Sequence, residues 1–373
     1  MRIKLLFLSL FLITAVTAQD STLIQRYKAL NNPLGLSYSK GVKKEVGSLS
    51  GTHKAFTEKA LSRSTYYFPI IDSVLTANGL PTQLRYFAMG SSGLQFDYFD
   101  TLDGARGLWH FNYSQARLFG LKITSYIDER LDPIASTQAF VRAMQEYHKI
   151  YSNWELALAA FCGSAPKVNK AVRYHHDSLL YSAIQPDLDG LAAFVVERTL
   201  AAQILHRNSA SYKLKQAAFE APQAVKTIYL HSWCSLDQVA SLSKVPVETL
   251  TWLNPSYKRH IIPDMLDSFP LRLPVQLKDS AAWIKKLKYV PYDAYYFETK
   301  PQTGTKPNAK YDTLHHEVKE GETLESVATT YLVSVEDLME WNELEETELV
   351  EGQKLTIYHE VKVEVPKPPV QPK

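Results

Sequence analysis

Residues 84–111, LRYFAMGSSGLQFDYFDTLDGARGLWHF, decide how the larger part of the chain is read. Gly79 closes a preceding helix and Pro81 opens the next, where its missing N–H costs nothing. The spacing of Leu84, Phe87 and Ala88 predicts a helix over 81–90 with these side chains inward. The helix runs out at Ser91-Ser92, and a loop with Asp97, Asp100 and Asp103 leads to Gly107-Leu108-Trp109-His110-Phe111. The stretch contains no Glu, and its helix end carries no carboxylate. The three aspartates read as solvated loop acids. His110 beside a Trp reads as a packed or hydrogen-bonded residue.

Working outward, residues 52–80 carry apolar side chains at helical spacing, with Pro69 expected to kink or split the helix. Ser136 is a candidate cap for a helix to about Ile150, Asn153 caps WELALAAFCG, and Pro166 opens KVNKAVRYH. The strongly apolar run over 188–205 reads as one buried helix. Residues 52–210 are thus expected to form a mainly helical domain.

The grammar then changes. Residues 226–274 read strand, helix, helix, strand, and residues 315–358 repeat the order. LDQVASLSKVPVETLTWLNP in the first copy echoes LESVATTYLVSVEDLMEWNE in the second, an internal repeat of one small unit. KPQTGTKPNAK over 300–310 reads as a flexible linker, and VEVPKPPVQPK as a Pro-rich tail.

Composition bounds the function. The chain has 373 residues and net charge +2, so no global field points to nucleic acid. Aromatic residues make up 12%, with 22 Tyr, mostly read as core and half-buried surface. MRIKLLFLSLFLITAVTAQD reads as a secretory signal peptide: Arg2 and Lys4, an apolar run too short to span a bilayer, and Val16-Thr17-Ala18 before a cut after Ala18. No Cys follows that cut to carry a lipid, and no later segment is apolar enough to cross a membrane. The mature chain is expected in the periplasm or outside the cell. An oxidising compartment would let Cys162 and Cys234 pair; they read instead as free buried thiols in separate domains. The 11 His lack ligand spacing, and no Gly-rich phosphate loop occurs, so neither metal nor cofactor is expected.

Two resemblances follow from these motifs. Residues 315–358, through Val318, Gly321-Glu322-Thr323-Leu324, Val327, Tyr331, Leu338, Trp341-Asn342, Leu349, Gly352-Gln353 and Leu355, resemble a LysM domain. The likeness implies a groove for N-acetylglucosamine-containing glycans between the loops 320–323 and 348–352, hence at Gly321, Glu322, Thr323, Leu349, Val350 and Gly352. The first copy resembles a degenerate LysM, with SWCS where Gly-Glu-Thr would stand. The helical region, through LRYFAM, GARGLWHF, FGLKITSYIDERLDPIAST, NWELALAAF and TLAAQIL, resembles the lysozyme-like lytic transglycosylases, in particular the membrane-bound type D class with LysM repeats.

In that family one Glu, followed by Ser, acts as acid and then base in closing a 1,6-anhydro ring. The likeness places Ser91 at the Glu position and Ser92 at the family Ser. The family's Tyr-Asn-Ala-Gly reads Phe161-Cys162-Gly163-Ser164, its late Tyr falls on Val195 beside Phe194, and its Gln is His110. A hydroxyl is far too weak an acid for that reaction. The resemblance therefore implies a cleft that holds glycan through Ser92, Trp109, His110, Phe111 and Phe161 without a catalytic residue.

The expected architecture is α+β and multidomain: a lysozyme-like, mainly helical domain followed by two βααβ LysM-type modules. Its parts are a signal peptide (1–18), an N-terminal extension (19–51), the lysozyme-like domain (52–210), the degenerate module (224–275), a linker (276–312), the LysM domain (313–359) and the tail (360–373). The expected partners are peptidoglycan glycan strands and an envelope protein complex. The expected function is glycan binding by a pseudoenzyme. The alternatives are an active transglycosylase with Asp97 or Asp103 as a displaced acid, and a protein-interaction scaffold.

Overall fold

The structure is a computed structural model that describes residues 21–100, 104–124, 126–219, 221, 225–230, 234–263, 269–275, 287, 311–331, 333, 335–342, 344 and 347–360. The signal-peptide, linker and tail readings lie essentially outside these residues. The described residues within 1–99, 106–121 and 129–221 form one compact unit; those within 100–105, 122–128 and 222–373 form a second.

The first unit is helical. Helix α1 (Lys40–Ser50) starts where the Ser39 hydroxyl accepts the Gly41 N–H, and buries Val42, Val46 and Leu49. The boundary expected at residue 52 therefore falls between two helices of one unit. Helix α2 (Lys54–Ala77) runs through Pro69 undivided. A 3-10 turn (Thr82–Leu84) leads into α3 (Arg85–Ser91), and α4 (Tyr113–Leu118) follows the Gly-Leu-Trp element. Then come α5 (Pro133–Tyr151), α6 (Trp154–Gly163), α7 (Ala165–Tyr174), α8 (Tyr181–Ile184) and α9 (Val195–Arg207).

Two local expectations are corrected. The cap of α5 is Asp132, not Ser136: one Asp132 oxygen accepts the N–H groups of Ile134 and Ala135, both at 2.9 Å. Pro133 then occupies the first turn, and Ser136 is buried with its hydroxyl on the Asp132 carbonyl. The apolar run 188–205 is not one helix. A 3-10 turn (Gly190–Ala193) breaks at Phe194 before α9, where Tyr181 and Gln185 side chains donate to the carbonyls of Ala192 and Ala193.

The core of this unit is aromatic. Trp109 stacks on Phe140 with centroids 3.8 Å apart, Phe87 stacks on the same ring, and Phe161 stands edge-on to Phe87, Phe111 and Phe140. Offset stacking and edge-to-face packing both suit the ring quadrupoles.

The second unit holds the two copies. In the first, β1 (Val225–Leu230) pairs antiparallel with β4 (Phe269–Pro274), and the short β2 (Cys234–Ser235) pairs with β3 (Ile261–Ile262). Helices α10 (Leu236–Ser243) and α11 (Val247–Leu253) lie between them in sequence. In the second copy, β5 (Tyr311–Glu317) pairs with β6 (Lys354–Glu360), flanking α12 (Leu324–Thr330) and α13 (Val335–Trp341). Both are βααβ units, as the repeat predicts.

One residue explains why the copies share a shape. Asn342 donates to the Leu338 and Thr356 carbonyls and accepts the Thr356 N–H at 2.6 Å. Asn254 does the same with Leu250 and Arg272. Each Asn satisfies a helix-end carbonyl and a strand residue at once, locking the second helix to the last strand.

Candidate functional site

Helix α3 delivers Ser91 and Ser92 at its C-terminal end. The Ser91 hydroxyl, partly exposed, turns back to the Phe87 carbonyl at 2.8 Å. Ser92 is 1% exposed; its hydroxyl lies 2.8 Å from the Leu108 carbonyl and 3.0 Å from that of Ala88. It thereby staples the helix end to the Gly-Leu-Trp element. Arg198 on α9 donates to the Gly90 carbonyl at 2.9 Å and pairs with Glu45 at 3.0 Å. The carbonyl that precedes Ser91 in the chain is thus capped by a guanidinium that also holds the Glu45 carboxylate.

The Gly-Leu-Trp element is a tight turn. Arg106 and Phe111 exchange backbone hydrogen bonds of 2.9 and 3.1 Å. Gly107 has φ +78°, and a Cβ there would come within 2.0 Å of the Arg130 carbonyl, so only glycine fits. His110 also takes a positive φ, 58°, and sets its ring edge-on to Tyr98.

The turn corrects the cleft-floor reading. Trp109 and Phe111 are fully buried, Trp109 donating its indole N–H to Thr137 at 2.9 Å, and Phe161 is 1% exposed. These rings, with Ser92, form the packing beneath the helix end and present no face to a sugar. Of the five residues proposed here, His110 alone is partly open to solvent. The reason is packing: Trp109 stacks on Phe140 and bonds Thr137, both of α5. Cys162 is half-buried and Cys234 buried, both as free thiols. Val195 is fully buried, whereas Phe194 beside it is 37% exposed.

Asp97 is exposed and within electrostatic reach of Arg63, which itself holds the loop by bonds to Gly93 and Gln95. Asp100 belongs to the second unit, and Asp103 lies outside the described residues.

Within the helical unit, two buried carboxylates escaped the sequence reading. Glu197 is 3% exposed and accepts from Ser39 and Gln185 at 2.9 Å each, with the Tyr181 hydroxyl 3.4 Å away. Glu155 accepts the Ser37 N–H at 2.6 Å. Burial, and then the Glu197 charge, push the Tyr181 phenol well above its ordinary range. Both glutamates fasten the chain just before α1 to the helices. Glu197 accepts on both oxygens and Glu155 on one, and only the polar helix-start pattern Ser37-Tyr38-Ser39 hinted at them. Among the described residues no group of three His, Cys, Asp or Glu converges as a metal site would require.

In the second copy the two expected loops do meet. The Val318 N–H donates to the Gln353 carbonyl and the Gly352 N–H to the Val318 carbonyl, at 2.9 and 2.8 Å. Gly321 and Gly352 take φ of +80° and +79°, with open space where a Cβ would be. Thr323 and Ser326 cap α12 reciprocally, each side-chain oxygen accepting the other residue's N–H. Glu322 bonds His316 at 2.7 Å and the Lys319 N–H at 2.9 Å. Burial opposes the charged form of Glu322, but those bonds and the nearby charges outweigh it and hold the carboxyl below its ordinary value. Val350 is 72% exposed on the facing loop. The two loops are thus joined by backbone hydrogen bonds, with Gly321 and Gly352 open to solvent and Val350 an exposed apolar side chain beside them.

Comparison with known proteins finds three family matches along the chain. Residues 74–181 match the Transglycosylase SLT domain, residues 224–287 the family described as "Lytic transglycosylase MltD, LysM-like domain", and residues 316–357 the LysM domain. Over 314 residues the chain is 25% identical to Membrane-bound lytic murein transglycosylase D of Escherichia coli strain K12, and equally to that of strain O6:H1. The match covers 82% of this chain and 66% of those relatives, so it spans a little under two thirds of their length. With matches to an SLT domain followed by two LysM-type modules, the chain is similar to the lytic transglycosylases that carry LysM repeats.

Proposed function

We propose that this chain holds peptidoglycan glycan strands without cleaving them. The observation that carries the reading is Ser91: at the helix end where the family likeness places a proton-shuttling Glu, a serine bonds the helix's own carbonyl. Loss of a general acid costs about 10²–10⁴ in rate, and in this family the same group also serves as base. The companion Tyr and Asn positions hold Phe161 and Cys162, so no polar partner compensates.

The second module supplies the grip, through the loops around Gly321–Thr323 and Leu349–Gly352. In the helical unit His110 is the one residue, among those the likeness assigns to glycan, that is partly open to solvent. The N-terminal pattern of residues 1–18 supports export to the periplasm, where such a protein anchors or guides an envelope assembly. Among the described residues no helix is long and apolar enough to cross a membrane.

Co-sedimentation with purified sacculi tests binding. The chain is expected in the pellet, and Gly352→Val, which forces a branched side chain into a left-handed backbone, is expected to shift it to the supernatant. A chain that stays wholly soluble would favour a protein scaffold with no glycan site. Loss of turbidity of the sacculi, abolished by Asp97→Asn, would instead establish an active enzyme with a displaced acid.

A further inference from the structure

The first LysM-type module contains a residue that its own sequence does not supply. Ile127, 1% exposed, sits in one hydrophobic cluster with Leu230, Leu236, Leu250, Ile262 and Phe269. It arrives on a compact tip. Thr124 accepts the N–H groups of Tyr126 and Ile127 at 3.2 and 3.1 Å, its own N–H reaches the Ile127 carbonyl, and Ile123 bridges Asp128.

The tip pairs with the loop after α11 as one strand pairs with another. Ile127 bridges Tyr257 antiparallel, the Asp128 N–H donates to the Ser256 carbonyl, and the Lys258 N–H donates to the Tyr126 carbonyl, both at 2.8 Å. Lys258 adds a side-chain bond to the Thr124 carbonyl at 2.7 Å, and the Lys122 ammonium lies over the Phe269 ring, 5.3 Å from its centre. The two modules differ at this loop: Ile262, eight residues after Asn254, is fully buried, whereas Val350, eight residues after Asn342, is exposed.

We infer that the first module is a peptide-docking module rather than a sugar-binding one, and that its occupant is the chain's own segment 122–128. Backbone groups at the loop are engaged by the segment, and Ile127 fills the apolar space that a compact module of this size would otherwise leave open. The module's divergence from its repeat follows: SWCS replaces Gly-Glu-Thr because this copy keeps the βααβ shape while its loop has another ligand. Only the second module is then left to hold glycan.

Amide hydrogen exchange on the intact chain tests this without reference to activity. The amides of Asp128 and Lys258 should exchange together, slowed about 100-fold or more against the unfolded chain. Ile127→Asn should release both and speed exchange across Leu236–Leu253. Should that variant fail to fold, Lys258→Met removes one bond and keeps the aliphatic stem; it should speed the Asp128 amide several-fold. An N-acetylglucosamine tetramer should leave residues 256–258 unchanged. Unfolded-like exchange at Asp128 and Lys258 in the intact chain, or protection of 256–258 by the tetramer, would overturn the inference.

Discussion

Replacing His206 with Gln should flatten the acid side of the stability profile. His206 lies in α9, its ring 5.1 Å from Phe68 and 5.5 Å from Tyr86, with Nδ1 3.4 Å from the Tyr86 hydroxyl. Burial first, then the Arg85 and Arg207 charges, lower its pKa from 6.5 to about 4. Asp72, which pairs with Arg85, is the neighbouring acid. Below 6.5 the unfolded chain takes a proton on this imidazole while the folded chain resists, so the unfolded state binds more protons and stability falls with pH. The contribution is complete above about pH 6.5 and is lost as pH drops toward 4. At ~1.4 kcal/mol per pKa unit the ceiling is about 3 kcal/mol, and most of it is gone by about pH 4.5. Gln keeps a polar partner for Tyr86 but cannot gain charge. Urea unfolding of both proteins at about pH 7.5 and about pH 4.5 reads the effect, and the double difference removes the other titrating groups. The wild type should lose about 2–3 kcal/mol more than His206→Gln. Parallel losses would refute the assigned burial of this imidazole.

Other changes follow from single contacts. Gly107→Ala should lower stability by about 2 kcal/mol or more in thermal unfolding, because its methyl meets the Arg130 carbonyl at a positive φ. Asn254→Ala removes the side-chain partner of both Arg272 backbone groups, while the Leu250 carbonyl keeps the residue 254 N–H, and should cost about 2–3 kcal/mol by denaturant titration; Asn342→Ala, whose side chain is only partly buried, should cost less. Ser91→Glu should leave the release of soluble fragments from sacculi unchanged within about tenfold, because the Phe161 and Cys162 positions still lack polar groups; gain of two orders of magnitude would show that one carboxyl group suffices.

Much of this fold was legible where the signal is local. Asn153 and Pro166 mark helix starts as expected, and the echo between 236–255 and 324–343 gives two modules of the same shape. The loops of the second module were legible because Gly321 and Gly352 carry their own backbone requirement. What stayed hidden depended on tertiary partners. Trp109 looks equally like a sugar platform and a core ring until Phe140 is found against it. The roles of Glu155 and Glu197 were hidden, since Ser37 and Ser39, which donate to them, lie 118 and 158 residues away in sequence. Ile127 gave no sign that it would complete a module beginning a hundred residues later.

The most direct test of the central claim is a chemical count of 1,6-anhydro ends after long incubation of the intact chain with purified sacculi. The account predicts that the chain sediments with the sacculi and that the anhydro-end count stays at the level of the untreated control. A steady rise in anhydro ends at enzyme-like rates, proportional to the amount of chain added, would contradict it and show that a group other than Ser91 moves the proton.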